Sequence, residues 1–176
     1  MKKAGFTYLY VLFFLSILST LSLLLYNYTT RELRLTQSKI ENANVYNAVR
    51  SAVDIGVFTI YQTLQENKTA IYLQAEEAYL TQEETPDDDF YTLGELLDKF
   101  AFLSLSGLLT EKLTVPIHDY TAQISFVWEE GDDFTYTFTI TATCARTSDP
   151  FPVSTLVLTG EFSYEGVYPL ILSQLF

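Results

Sequence analysis

The amino-acid sequence predicts an α+β protein. A long N-terminal helix, apolar in its first half and amphipathic in its second, packs on a four-stranded antiparallel sheet. Three observations predict it. Charged residues are absent from Ala4 to Thr30. Between Arg31 and Leu73 there is no proline, and apolar residues return at helical spacing. In the last third of the chain the hydrophobic period drops from about 3.6 residues to about 2.

The apolar stretch comes first. A helix rises about 1.5 Å per residue and a bilayer core is about 30 Å thick, so about 20 residues cross it. Phe6 to Tyr26 has that length. A removed signal peptide would have a shorter core and an A-x-A-like cleavage site. Here LLLYNYTT follows, so the span is expected to stay with the protein. Lys2 and Lys3 favour a cytoplasmic N-terminus; Arg31 and Arg34, beyond the span, compete with them.

The helix is expected to continue into the 60s or 70s. Tyr46, Val49, Val53, Val57, Ile60 and Leu64 fall on one face. Lys39, Glu41, Asn44, Arg50, Asp54 and Gln62 fall on the other, and Gly56 is the only glycine of the stretch. Thr85-Pro86 and Asp87-Asp88-Asp89 mark a loop. Thr92 and Glu95 then form a T-x-x-E capping box ahead of a short helix from Leu93 to about Leu103, ending near Gly107. Three alternating runs read as strands: HDYTAQISFVW, DFTYTFTITATC and VSTLVLTGEFSY. EEGDD joins the first two as a turn with Gly131 at its tip, and SDPFP separates the second from the third. VYPLILSQLF supplies a fourth extended piece.

Charge narrows the function. The chain carries 10 basic and 22 acidic residues, a net −12. Up to Ala75 there are 7 Lys/Arg and 4 Asp/Glu; from Glu76 onward there are 3 and 18. So acidic a distal region repels phosphate backbones, and Lys99, Lys112 and Arg146 are its only cations. Direct nucleic-acid binding by the isolated head is not expected.

The residues for catalysis are sparse. His118 is the only histidine and precedes a predicted strand, with no second ligand or triad partner in view. No phosphate-binding glycine loop occurs. Asp87, Asp88 and Asp89 are weak calcium candidates, since the run lacks D-x-D-x-D-G spacing. Glu129, Glu130, Asp132 and Asp133 at the hairpin tip are read the same way. Asn67-Lys68-Thr69 matches the glycosylation pattern by letters. Cys144 is the single cysteine, which rules out an internal disulfide, and reads as a small buried strand residue. No cofactor is implied, and the reading is a structural or binding protein rather than an enzyme.

The opening KKAGFTYLYVLFF resembles the short basic leader and first helix of type IV pilins and pseudopilins. The resemblance implies cleavage by a prepilin peptidase between Gly5 and Phe6, N-methylation of Phe6, and a type IV pilin-like fold. It divides the chain into a leader (1–5), a transmembrane and fibre-core helix (6–28), an amphipathic helix (29–75) and an acidic α+β head (76–176). Typical pilins carry Glu at the fifth mature position, where this chain has Tyr10. A lone carboxylate in lipid needs a partner, and in the family that partner is the α-amine of the subunit above. Subunits thought to cap the fibre lack the Glu. In this respect GFTYLYVLFF is most similar to the competence minor pseudopilins of Gram-positive bacteria, the ComGG family.

The expected function is therefore that of a minor subunit of a DNA-uptake pilus, in its tip or initiation complex. Expected partners are other major and minor pseudopilins, the prepilin peptidase and the assembly machinery in the membrane. The chain is expected to be single-pass, with its head outside the cell. Two alternatives stand beside this reading. One is a single-pass surface protein whose acidic ectodomain binds a ligand or cation. The other is a minor pilin of a secretion or adhesion system.

Overall fold

The computed structural model describes residues 3–84, 91–131, 134–147 and 149–175. Its elements are two helices, α1 (Lys3–Glu84) and α2 (Leu93–Leu108), and five strands. The strands are β1 (Leu113–Ile117), β2 (Tyr120–Glu130), β3 (Tyr136–Arg146), β4 (Asp149–Phe162) and β5 (Val167–Leu175). They form one antiparallel meander in the order β1-β2-β3-β4-β5. The chain divides into two compact units, residues 1–44 and 45–176.

In the second unit the inward stripe of α1 is Val45, Ala48, Val49, Ala52, Val53, Gly56, Ile60, Leu64, Ile71 and Ala75. From Val45 to Ile71 it shares one core with Leu105 of α2, Ile124 of β2, Phe138 and Ile140 of β3, and Leu156 of β4. Alternation sets this face. Along β3, Tyr136, Phe138, Ile140, Ala142 and Cys144 are buried, while Thr137, Thr139, Thr141 and Thr143 point to the opposite face. On that face Thr139 and Thr143 pair across to Thr159 and Thr155 of β4, at 3.4 and 3.1 Å.

The α+β class and the helix-on-sheet arrangement are as expected, but the sheet has five strands, not four. The missed strand is β1, LTVPI, whose Pro116 marks it against a strand. Proline is tolerated there because β1 is an edge strand bonded to β2 alone. His118 and Asp119 form the two-residue turn between β1 and β2, closed by the Ile117–Tyr120 pair. His118 has φ 52°, a left-handed conformation that histidine adopts more readily than most side chains.

Three smaller differences have physical causes. First, Tyr46 is exposed and Val57 half-buried. Val49, Val53, Ile60 and Leu64 are buried as expected, and the small residues Ala48, Ala52 and Gly56 sit between them where α1 runs close to the sheet. Second, α2 reaches Leu108 and passes through Gly107, which has open space around it and only a propensity cost of about 1 kcal/mol. Third, SDPFP does not end a strand. β4 starts at Asp149, and register shifts opposite Cys144, Ala145 and Arg146 accommodate Pro152. The capping box holds: Thr92 Oγ1 accepts from Glu95 N at 3.3 Å, and Thr92 N donates to Glu95 Oε2 at 2.7 Å.

Candidate functional site

In residues 1–44 the site is the helix itself. It is long and apolar enough to cross a membrane. Every side chain from Tyr8 to Thr29 is exposed, including Tyr10 at 66%. The few hydroxyls are satisfied locally. Thr20 Oγ1 donates to the Ser16 and Ile17 carbonyls, each at 2.9 Å, and Thr29 and Thr30 donate to Leu25 and Tyr26 carbonyls at 2.9 and 2.8 Å. Such back-bonding lets a hydroxyl enter hydrocarbon without an orphaned donor. Gly5 and Phe6 lie within α1.

In residues 45–176 a shallow groove of about 420 Å³ is lined by Val53, Val57, Phe58 and Tyr61 of α1, Leu158 of β4 and Val167 of β5. Phe58 is 62% exposed and Tyr61 47%. Arg50 and Asp54 close one side with an exposed ion pair, Nε to Oδ1 at 3.4 Å. Phe58 and Tyr61 were passed over in the sequence because they lie off the apolar stripe; their exposure appears only once the inward face is known.

The β4–β5 turn beside this groove is pinned from two helices. Asp98 of α2 accepts the Tyr164 amide at 2.7 Å. The Tyr164 hydroxyl donates to the Lys68 carbonyl of α1 at 3.3 Å, and the Lys68 ammonium sits 4.8 Å from the Tyr164 ring centroid. Burial raises the Asp98 carboxyl above its ordinary range, against the lowering effect of the Tyr164 amide and with help from Glu165.

The other residues singled out in the sequence are scattered. His118 is exposed at the β1–β2 turn, and Glu129 and Glu130 are exposed at the end of β2. Asp87, Asp88, Asp89, Asp132 and Asp133 lie outside the described residues. Among the described residues no group of three His, Cys, Asp or Glu is placed to hold a metal. Lys99 sits on α2 with its ammonium 5.2 Å from the Tyr91 ring; Lys112 precedes β1, and Arg146 ends β3. Asn67 lies inside α1, half-buried, with Nδ2 donating to the Thr63 carbonyl at 2.8 Å, a poor setting for a glycan. Cys144 is buried on β3, where desolvation pushes its thiol up to about 11. No protein-family model, curated protein or solved structure matches the chain.

Proposed function

We propose that this chain is a minor pseudopilin of a competence type IV pilus, a structural subunit of its tip or initiation complex that is needed for transformation. Cleavage falls between Gly5 and Phe6, Phe6 is N-methylated, and residues 6–28 pass from the membrane into the fibre core. The head stands outside the cell before assembly and on the pilus surface after it. No residue is catalytic, and DNA uptake belongs to the assembly. The observation that carries this reading is one unbroken helix, Lys3–Glu84, that begins as a bare apolar span and continues as the central element of an antiparallel α+β head. The leader KKAG, placed directly before the span, supports it. Tyr10 supports the tip position, because a subunit with no neighbour above has no α-amine for a carboxylate to meet.

The sheet offers a place for neighbouring subunits. β1 is a short edge strand blunted by Pro116; β5 is the other edge, nine residues long, interrupted near its start by Pro169 opposite a register shift at Gly160, with no charged residue from Val167 to Phe176. Long uncharged edges are where a further strand can be added. Co-expression of the full chain with a prepilin peptidase tests the function through its first step. Intact mass should show loss of MKKAG, and replacement of Gly5 by a larger residue should block that loss. A full-length N-terminus in the presence of active peptidase overturns the reading.

A further inference from the structure

At the far end of the apolar span the helix presents a stripe of a different kind. Asn27, Thr30, Arg31 and Arg34 follow one another at steps of three, one and three residues, and with Tyr26 and Leu35 they line a shallow surface cleft. Residues three or four apart on a helix are neighbours, so Arg31 and Arg34 share one face and line one cleft. The acid nearest in sequence, Glu32, is turned off the stripe by about 100° from Arg31. Neither Arg31 nor Arg34 has an ion-pair partner among the described residues. The Thr30 hydroxyl already donates to the Tyr26 carbonyl and has no further proton to offer, while the Asn27 amide is uncommitted among the described residues. Below the cleft every residue back to Tyr8 is uncharged.

Depth fixes what such a cleft can meet. Tyr26 and Tyr28 stand at the end of the apolar run, where aromatic side chains with one polar end settle at headgroup level. About 1.5 Å of rise per residue puts the Arg31 and Arg34 backbone about 5–12 Å beyond them, and their long side chains, tilted toward the N-terminus, reach back into the layer of lipid phosphates. Guanidinium forks suit phosphate oxygens, and they bind them bidentately.

We infer that Asn27, Arg31 and Arg34, backed by Tyr26, form a site for the phosphate of an anionic phospholipid headgroup. Leu35 extends the apolar wall above the site, and the acyl chains run down the span. This inference rests on the span alone and is independent of the pilus reading. It also resolves the conflict between cations at the two ends of the span: a bound anionic lipid neutralises Arg31 and Arg34 where they lie, in whichever leaflet that is.

The test uses the full chain in micelles containing equal amounts of phosphatidylglycerol and phosphatidylcholine, with retained lipid counted by native mass spectrometry. A cation beside an anionic surface gives roughly a fivefold preference, so the pair should favour phosphatidylglycerol about 10- to 25-fold. R31Q/R34Q should reduce that ratio to near one with unchanged helical circular dichroism, whereas K39Q, off the stripe, should leave it high. Equal retention of the two lipids by the unaltered chain, or a preference that survives in R31Q/R34Q, overturns the site. A third arm adds inorganic phosphate in excess over the phosphatidylglycerol. Undiminished phosphatidylglycerol supports a lipid site, and its complete displacement would assign the cleft to free phosphate instead.

Discussion

Gly56 is the point at which the packing of α1 on the sheet can be tested most sharply. A Cβ built there would lie 3.0 Å from Ile140 Cγ2, 3.2 Å from Ile140 Cδ1 and 3.3 Å from Ile124 Cγ2. Carbon atoms in comfortable contact sit about 3.5–4.0 Å apart, so all three distances are short. Both isoleucines are 0% exposed and have nowhere to retreat. Two effects of Gly56→Ala therefore oppose each other. Alanine favours the helix over glycine by about 1 kcal/mol. Overpacking a filled core costs about 1–3 kcal/mol. The expected net is a loss of about 1 kcal/mol, or about 4 °C in the melting of a unit this size. The reference is Ala70→Gly, at an exposed site on the same helix, which should lose about 1 kcal/mol from propensity alone. The assay is urea unfolding of the full chain in micelles followed by Trp128, the only tryptophan. Its ring packs edge-on against Phe162 at 5.5 Å, so it reports on the head. Gly56→Val should cost more than Gly56→Ala. If Gly56→Ala instead gains about 1 kcal/mol, position 56 behaves as a free helix surface and the close crossing is refuted.

Two further predictions use the same assay. The Tyr136 hydroxyl is buried with no hydrogen-bond partner among the described residues, while its ring stacks on Phe102 at 4.8 Å. Tyr136→Phe keeps the stack and drops the orphaned group, so it should stabilise the head by about 1 kcal/mol; an equal loss would mean that the hydroxyl has a partner. Asp98 has a raised carboxyl pKa, caused first by burial, so the folded state holds its proton more tightly than the unfolded state does. Its contribution to stability therefore falls as pH rises from the unfolded value of 3.8 through the raised folded value, and at pH 7 the full penalty stands. Asp98→Asn keeps an acceptor for the Tyr164 amide and should stabilise the head at pH 7 but not below pH 3.8; destabilisation at pH 7 would show that the charged bond to Tyr164 outweighs desolvation.

What the sequence disclosed and what it concealed divide along the range of the interactions. The capping box at Thr92 and Glu95 is closed within four positions, and its letters were enough. The Thr-x-Thr alternation of β3 announces both its strand and its outward face, because side-chain direction has a period of two. β1 was hidden by Pro116, since nothing local says that a strand will lie at an edge where a missing N–H costs little. Tyr46 misled for a related reason: hydrophobic spacing finds a stripe but does not say how near the facing sheet will come. Gly56 was visible as the lone glycine of its helix, yet its meaning depended on Ile124 and Ile140, far along the chain. The pinning of Tyr164 by Asp98 joins residues 66 positions apart, and the groove at Phe58 and Tyr61 exists only after β4 and β5 are in place. The KKAG run before the apolar stretch and the arginines beyond it are, by contrast, local features and could be read at once.

One helix here obeys two packing rules, and the difference bears on how its two parts can vary. From Tyr8 to Thr29 no side chain is buried in the protein, so in lipid any large apolar residue serves on every side of the helix. From Val45 to Ala75 only one stripe is buried, and Ala48, Ala52, Gly56 and Ala75 keep it narrow. Exchanging Leu18 for isoleucine leaves a lipid-facing surface equivalent, whereas exchanging Ala52, at 0% exposure, for leucine forces the helix off the sheet. Substitutions in the first part thus leave the core of the head untouched, and those in the second act through stability of the head. A variant at Tyr10 that leaves Trp128 reporting an unchanged head places whatever effect it has in the span. A variant at Ala52 cannot make that separation, because it disturbs the surface on which the head folds.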